Sequence, residues 1–186
     1  MQDIIKSLRA GISIGNTLDA FDKSIKISDA PDKTETSWGN PVITQELVDA
    51  YIEAGLNVIR IPVTWTGHFG DAPDYTIEEA WLKRVKEVVD YAYKRGAYAI
   101  LNLHHEDWNY PYYENEERAC IIMTALWSQL AAEFAAYDEH LIFEGQNEPR
   151  KVGTPLEWNG GDEEGWAVVN STNAAFVNTV RQGTGY

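Results

Sequence analysis

Short apolar runs alternate with amphipathic segments along the whole chain. There are four such runs, and the second to fourth are almost continuously apolar, as expected for strands buried on both faces. They cover residues 11–16, 57–62, 97–103 and 140–146. Strands buried on both faces are typical of parallel sheets, so the pattern predicts a parallel sheet with a crossover after each strand.

The segments between the runs have the periodicity of helices. Thr44 is placed to cap a helix that ends at Gly55, and Thr76 with Glu79 has the spacing of a capping box for a helix that ends at Gly96. Two more helices are predicted, over residues 116–136 and 163–181. Strand and helix thus alternate four times, which predicts an α/β fold with right-handed crossovers.

Two arrangements of such a sheet compete: a doubly wound open sheet and a (β/α)8 TIM barrel. The glycines at positions 11 and 15 lack the Gly-x-Gly-x-x-Gly spacing that a dinucleotide-binding sheet requires. A complete barrel needs about 250 residues. The 186 residues of this chain are therefore expected to form about four βα units, a half-barrel, as a single domain over residues 1–186.

Composition excludes several functions. The formal net charge of -14 would repel polyanions, so we expect neither a nucleic acid partner nor an anionic membrane surface. No apolar run reaches the length of a transmembrane helix, and the start of the chain lacks the pattern of a signal peptide. The single cysteine excludes an intramolecular disulfide.

Polar and aromatic side chains gather at or just beyond the carboxyl end of every predicted strand. They are Asn16 after the first strand, Arg60 and Trp65 in and after the second, His104, His105 and Trp108 after the third, and Asn147 and Glu148 after the fourth. In parallel α/β barrels this edge carries the active site. The four clusters therefore predict a site at one end of the sheet.

Alternatives remain for several of these residues. A buried Arg60 must be paired, so it either orients a catalytic carboxylate or makes a structural ion pair. Adjacent strand residues point to opposite faces, so His104 and His105 are not expected to share a metal ion. Pro149 is expected to keep Glu148 in an extended conformation.

Five motifs in order along the chain resemble glycoside hydrolase family 5, in particular its bacterial endoglucanase and xyloglucanase branch. They are Gly15-Asn16-Thr17-Leu18-Asp19-Ala20, Trp38-Gly39-Asn40-Pro41, Asn57-Val58-Ile59-Arg60-Ile61-Pro62-Val63-Thr64-Trp65, Leu101-Asn102-Leu103-His104-His105-Glu106 and Phe143-Glu144-Gly145-Gln146-Asn147-Glu148-Pro149. The resemblance implies a (β/α)8 barrel and a retaining double displacement, which needs two carboxyl groups about 5–5.5 Å apart.

The resemblance also implies a role for each site residue. Glu148 matches the acid/base and Asn147 the residue that binds the sugar 2-hydroxyl. Arg60 matches the arginine that orients the nucleophile, and His104 lines the subsite of the cleaved sugar. It places sugar contacts at Asn16 and Trp38, with His105 assisting His104. Trp65 and Trp108 are further expected substrate contacts because of their positions after predicted strands. No cofactor and no metal are implied.

The resemblance further implies a secreted parent enzyme that hydrolyses β-glucan or xyloglucan. The family's nucleophile, a glutamate at the end of strand seven, has no counterpart among these 186 residues. Three hypotheses follow: a fragment of weak or no activity, a non-catalytic carbohydrate-binding half-barrel, and a half-barrel that self-associates through its open edges.

Overall fold

The computed structural model describes residues 2–25 and 30–184. Ten elements follow one another along these residues. They are α1 Gln2–Ser7, β1 Gly11–Ser13, α2 Pro31–Glu35, α3 Gln45–Glu53, β2 Val58–Ile61, α4 Glu79–Tyr93, β3 Tyr98–Asn102, α5 Tyr113–Glu133, β4 Leu141–Glu144 and α6 Glu163–Thr184. The four predicted strands and the four predicted helices are all present, and α1 and α2 are short helices that the apolar pattern did not reveal.

The strands form one parallel sheet in the order β1-β2-β3-β4, which confirms the predicted parallel topology. At its carboxyl end, Ser13 pairs with Arg60 between β1 and β2. Asn102 pairs with Glu144 between β3 and β4. This register brings polar side chains from neighbouring strands to one edge of the sheet.

Helix boundaries follow from local capping. The Thr44 side chain accepts a hydrogen bond from the Leu47 amide at 3.3 Å, as predicted for the start of α3. The predicted capping box at α4 is wrong. Glu78 caps this helix instead, because its carboxylate accepts from the amides of Ala80 at 2.9 Å and Trp81 at 2.5 Å.

The chain divides into two compact units. The first comprises Met1–Phe69, Glu78–His105 and Tyr137–Glu144, and contains the whole sheet. Its core is made by side chains of β2 and β3 together with the apolar face of α4, including Ile59, Ile61, Leu101, Val85 and Val88. The single-domain prediction for residues 1–186 stays a prediction.

The second unit comprises Gly70–Ile77, Glu106–Ala136 and Gly145–Tyr186. Within it α5 packs against α6, and the rings of Trp127 and Phe176 lie 4.7 Å apart. The Trp127 indole donates a hydrogen bond to the Gly145 carbonyl at 3.1 Å. No helix in residues 2–25 or 30–184 combines the length and the apolar composition needed to cross a membrane.

Candidate active site

Arg60 and Glu144 form a two-pronged ion pair at the carboxyl end of the sheet. Nε of Arg60 donates to Oε2 of Glu144 at 2.7 Å, and Nη2 donates to Oε1 of the same carboxylate. Burial by itself would raise the pKa of Glu144, but hydrogen bonds from Arg60 and Asn102, with the charge of Arg60, hold that pKa below its ordinary value. Glu144 is thus a carboxylate partner of Arg60 that the sequence patterns did not reveal.

Asn102 links this ion pair to His104. The Asn102 side chain is fully buried, and its carbonyl oxygen accepts from the Val63 amide at 3.2 Å. Its amide nitrogen donates to Oε1 of Glu144 at 2.9 Å and lies 3.0 Å from Nδ1 of His104. Arg60, Glu144, Asn102 and His104 therefore form one continuous hydrogen-bonded chain.

His104 and His105 both face the carboxylate of Asp19. Nε2 of each ring lies 3.9 Å from Oδ2 of Asp19. The expectation that the two histidines diverge is wrong, because they follow β3 rather than lie in it. Donor atoms of the three side chains lie within 4.8 Å of one another, close enough to be considered as a metal-binding group.

The pKa of His104 is lowered from 6.5 to about 4, chiefly by burial of the ring. The nearby His105 and Arg60 lower it further, while Asp19 and Glu144 oppose the shift. His104 is therefore uncharged at neutral pH. The neutral ring can donate one hydrogen bond and accept another, and it does not place a second positive charge beside Arg60.

An aromatic surface lies next to this group. The Trp38 ring is 42% exposed and its centroid lies 5.6 Å from that of His105 and 5.7 Å from that of Phe21. Its indole nitrogen donates to the Phe21 carbonyl at 3.0 Å, which fixes the ring. Aromatic rings that are held in place and exposed suit the apolar faces of sugars.

Asn16 lies on the turn that follows β1. It is exposed and has a left-handed backbone with φ of 59°. The Asn40 side chain donates to its carbonyl oxygen at 3.1 Å. The Trp-Gly-Asn-Pro motif thus holds the turn in place, and the predicted substrate contact of Asn16 stays a prediction.

In the second unit, Glu148 has a backbone φ of 44°. The expectation of an extended Glu148 is wrong: the turn after β4 imposes a left-handed conformation despite the following proline. The Glu148 side chain is 57% exposed, and Nη1 of Arg150 lies 3.5 Å from its Oε2. The side chain is thus accessible to a substrate and has a cation beside it.

Glu148 also lines a cavity of about 250 Å³ within the second unit, with Arg150, Trp158 and Trp166 among its walls. The Trp158 ring is 73% exposed, and the Arg150 guanidinium lies 4.4 Å from its centroid. Arg150 is oriented by a 3.1 Å hydrogen bond from its Nε to Glu157. The cavity therefore places an accessible carboxylate beside an exposed aromatic face.

Two predicted substrate contacts are wrong. Trp65 is completely buried, and its indole donates to the Asn102 carbonyl at 3.0 Å. Trp108 is only 2% exposed and donates to Glu106 at 2.8 Å. Both rings are packed in the interior, so neither offers a face to a sugar.

The structure brings Arg60, His104 and His105 together in the first unit and places Asn147 and Glu148 in the second. The predicted approach of Glu148 to Arg60 stays a prediction. Asp19, Asn102 and Glu144 were not predicted as site residues, although each lies in one of the five motifs. The sequence did hold a signal for them. Each is a charged or amide side chain in or close after an apolar run, and such a group must find a partner when it is buried.

Known proteins resemble this chain over almost its whole length. The family profile described as cellulase (glycosyl hydrolase family 5) matches residues 18–185. Endoglucanase B of Neocallimastix patriciarum is 55% identical over 181 residues, which are 97% of this chain and 38% of that protein. Endoglucanase A of Ruminococcus albus is 49% identical over 181 residues, 96% of this chain and 48% of that protein.

Solved structures of endoglucanases are also similar to this chain. A GH5-4 broad specificity endoglucanase from Ruminococcus champanellensis with bound cellotriose is 47% identical, with a TM-score of 0.93 over 96% of this chain and 52% of that one. A GH5 xyloglucan-specific endo-β-1,4-glucanase from a metagenomic library is also 47% identical, with a TM-score of 0.92 over 98% and 53%. The chain spans about half the length of these solved relatives, and its four βα units belong to a (β/α)8 barrel fold. The chain is a member of glycosyl hydrolase family 5, the cellulase family.

Proposed function

We propose that this chain supplies the acid/base part of a retaining endo-β-1,4-glucanase that acts on β-glucan or xyloglucan. The observation that carries the proposal is the cluster at the carboxyl end of the sheet, where Arg60, Glu144, Asn102 and His104 are hydrogen-bonded in one chain. Four residues beyond Glu144, the motif residue Glu148 has an accessible carboxylate. Relatives bound to cellotriose support a β-1,4-linked glucose backbone as the substrate.

In the proposed reaction Glu148 protonates the oxygen of the leaving sugar while a carboxylate nucleophile attacks the anomeric carbon. Glu148 then removes a proton from the water that attacks the glycosyl enzyme, and the sugar is released from the nucleophile. By resemblance, the nucleophile comes from a later strand, and Asn147 binds the 2-hydroxyl. Arg60 would hold the nucleophile ionised, in the way that it already holds Glu144.

The exposed aromatic rings fit a glycan substrate. Trp38 would stack on a sugar on one side of the cleaved bond, with Asn16 and His105 beside it. Trp158, which shares a cavity with Glu148, would stack on a sugar next to the acid. Because a polysaccharide chain cannot enter a cell, we also propose that the parent enzyme acts outside it.

A chimera tests this proposal. Residues 1–186 would replace the matched segment of the Ruminococcus champanellensis endoglucanase, and release of reducing ends from soluble β-glucan would be measured. We expect hydrolysis with retained anomeric configuration. Glu148→Gln should lower the rate by about 10²–10⁴-fold, the usual contribution of a general acid.

Glu163→Gln is the matched control, because Glu163 is an exposed glutamate of the same unit and lies outside the residues that line the cavity. It should keep most of the activity. Inverted product, or a rate unchanged by Glu148→Gln, would contradict the role of Glu148. Binding of β-glucan by a folded chimera without hydrolysis would favour the non-catalytic alternative.

A further inference from the structure

The orientation of the Asn102 side chain is fixed by two partners whose roles are unambiguous. The Val63 amide can only donate, so the Asn102 atom 3.2 Å from it is the carbonyl oxygen. The Glu144 carboxylate, whose pKa is held low, can only accept, so the atom 2.9 Å from it is the amide nitrogen. Reversing the amide would break both hydrogen bonds in a fully buried position.

This orientation has a consequence for His104. The amide nitrogen of Asn102 carries two hydrogens, and one is directed to Glu144. It therefore donates the second to Nδ1 of His104, 3.0 Å away. A ring nitrogen that accepts a hydrogen bond carries no proton, so the proton of neutral His104 lies on Nε2.

We propose that Asn102 is a positioning residue that holds His104 as the neutral imidazole with its proton on Nε2. The protonated Nε2 is directed toward Asp19, whose Oδ2 lies 3.9 Å away. That separation is too long for a hydrogen bond. The Nε2 proton is therefore available to a third group that enters between them.

The rival role for these residues is metal binding by Asp19, His104 and His105. Binding through Nε2 of His104 requires a lone pair on that atom and moves the ring proton to Nδ1. Nδ1–H would then face the amide hydrogen of Asn102, and two donors would meet in the interior. The amide of Asn102 thus disfavours the metal and preserves a hydrogen-bond donor.

This inference deepens the proposed function and rests on it for its meaning. A glucan offers hydroxyl groups whose oxygens accept hydrogen bonds. A neutral Nε2–H can donate to such an oxygen throughout the range in which His104 is uncharged. Asn102 would therefore set the specificity of this position for a hydroxyl rather than a cation.

The test is nitrogen-15 NMR of histidine-labelled chain near neutral pH, with the His104 signals assigned by their loss in His104→Gln. We expect His104 Nδ1 to resonate as an unprotonated nitrogen and Nε2 as a protonated one. Asn102→Asp replaces the donor with an acceptor and should move the proton to Nδ1. Asn57→Asp is the matched control, since the Asn57 side chain also both donates a hydrogen bond, to the Ser7 carbonyl at 2.8 Å, and accepts one, from the Arg9 amide.

Three results would overturn the proposal: a wild-type His104 protonated at Nδ1, a wild-type His104 that exchanges between the two forms, or coordination of equimolar Zn²⁺ by Nε2 of His104. The wild-type spectra and the Zn²⁺ titration decide the matter even if Asn102→Asp does not fold. These measurements need no catalysis, so their failure is distinct from a failure of the chimera. A fixed Nε2–H that persists with Zn²⁺ present would support the proposal.

Discussion

Glu148 combines a proposed acid/base role with an unfavourable backbone conformation. A glutamate at φ of 44° followed by proline has a conformation that side chains beyond Cβ normally avoid, at a cost of about 1–3 kcal/mol. Strain of this kind is tolerated where the surrounding structure aims a side chain at a functional site. The backbone conformation of Glu148 therefore lowers the stability of the fold and sets the position of the side chain.

Replacing Glu148 should reveal this cost. Asparagine tolerates the left-handed region better than other residues with side chains, so Glu148→Asn is expected to raise the free energy of unfolding by about 1 kcal/mol. Glu148→Gln keeps the side-chain length and removes the charge, and it is the control. Urea unfolding of both variants measures the difference, and equal stabilities would contradict a strained Glu148.

At the scale of elements, the close approach of β4's continuation to α6 depends on one glycine. A Cβ added at Gly145 would lie 2.6 Å from Cδ1 of Phe176, whose ring packs on Trp127. The contact is rigid, because both rings are held between α5 and α6. Any side chain at position 145 must push this pair apart.

Gly145→Ala is therefore expected to lower the free energy of unfolding by about 1–3 kcal/mol, the usual cost of overpacking. The control is Gly70→Ala in the same unit, where an added Cβ meets nothing closer than the Thr76 carbonyl at 3.8 Å. Denaturant midpoints compare the two. In a Phe176→Ala background the added methyl should cost less, and an unchanged cost there would place the strain elsewhere.

At the scale of the whole molecule, buried neutral histidines couple folding to pH. Burial lowers the pKa of His68 and of His104 from 6.5 to about 4. The His68 ring stacks on Trp81 with centroids 3.8 Å apart, and its Nε2 lies 3.1 Å from the Thr34 hydroxyl. Protonating either ring would place a charge where little solvent reaches it.

Between pH 6.5 and about 4 the unfolded chain binds more protons at these histidines than the folded chain does. Stability therefore falls as pH falls through this window, by up to about 1.4 kcal/mol per pH unit for each histidine that stays unprotonated in the folded chain. His68→Gln should reduce this slope by up to that amount. Urea unfolding across the window measures it.

Val88→Ala is the matched control for the pH experiment. It removes buried apolar contacts in the same unit and changes no bound proton. Its stability should be lower at every pH with the slope of the wild type. A His68→Gln slope equal to that of the wild type would mean that His68 titrates normally in the folded chain.

Local sequence patterns were sufficient to predict the strands and helices and to identify the family. Apolar runs and helical periodicity depend on neighbours in the chain, so they predicted four strands and four helices and their parallel order. The motifs at the strand ends predicted the cluster of Arg60, His104 and His105. The net charge of -14 follows from composition alone.

Tertiary structure decided what each polar or aromatic group does. Trp65 follows β2, Trp108 follows β3 and Trp38 lies in the loop after α2. Packing buries the first two rings and leaves the third exposed. The partner of Arg60 is Glu144, and the proton position of His104 depends on Asn102, because the register of β3 and β4 aligns Asn102 with Glu144. Hydrogen-bond partners of this kind lie far apart in the sequence, and only the folded chain brings a donor to its acceptor.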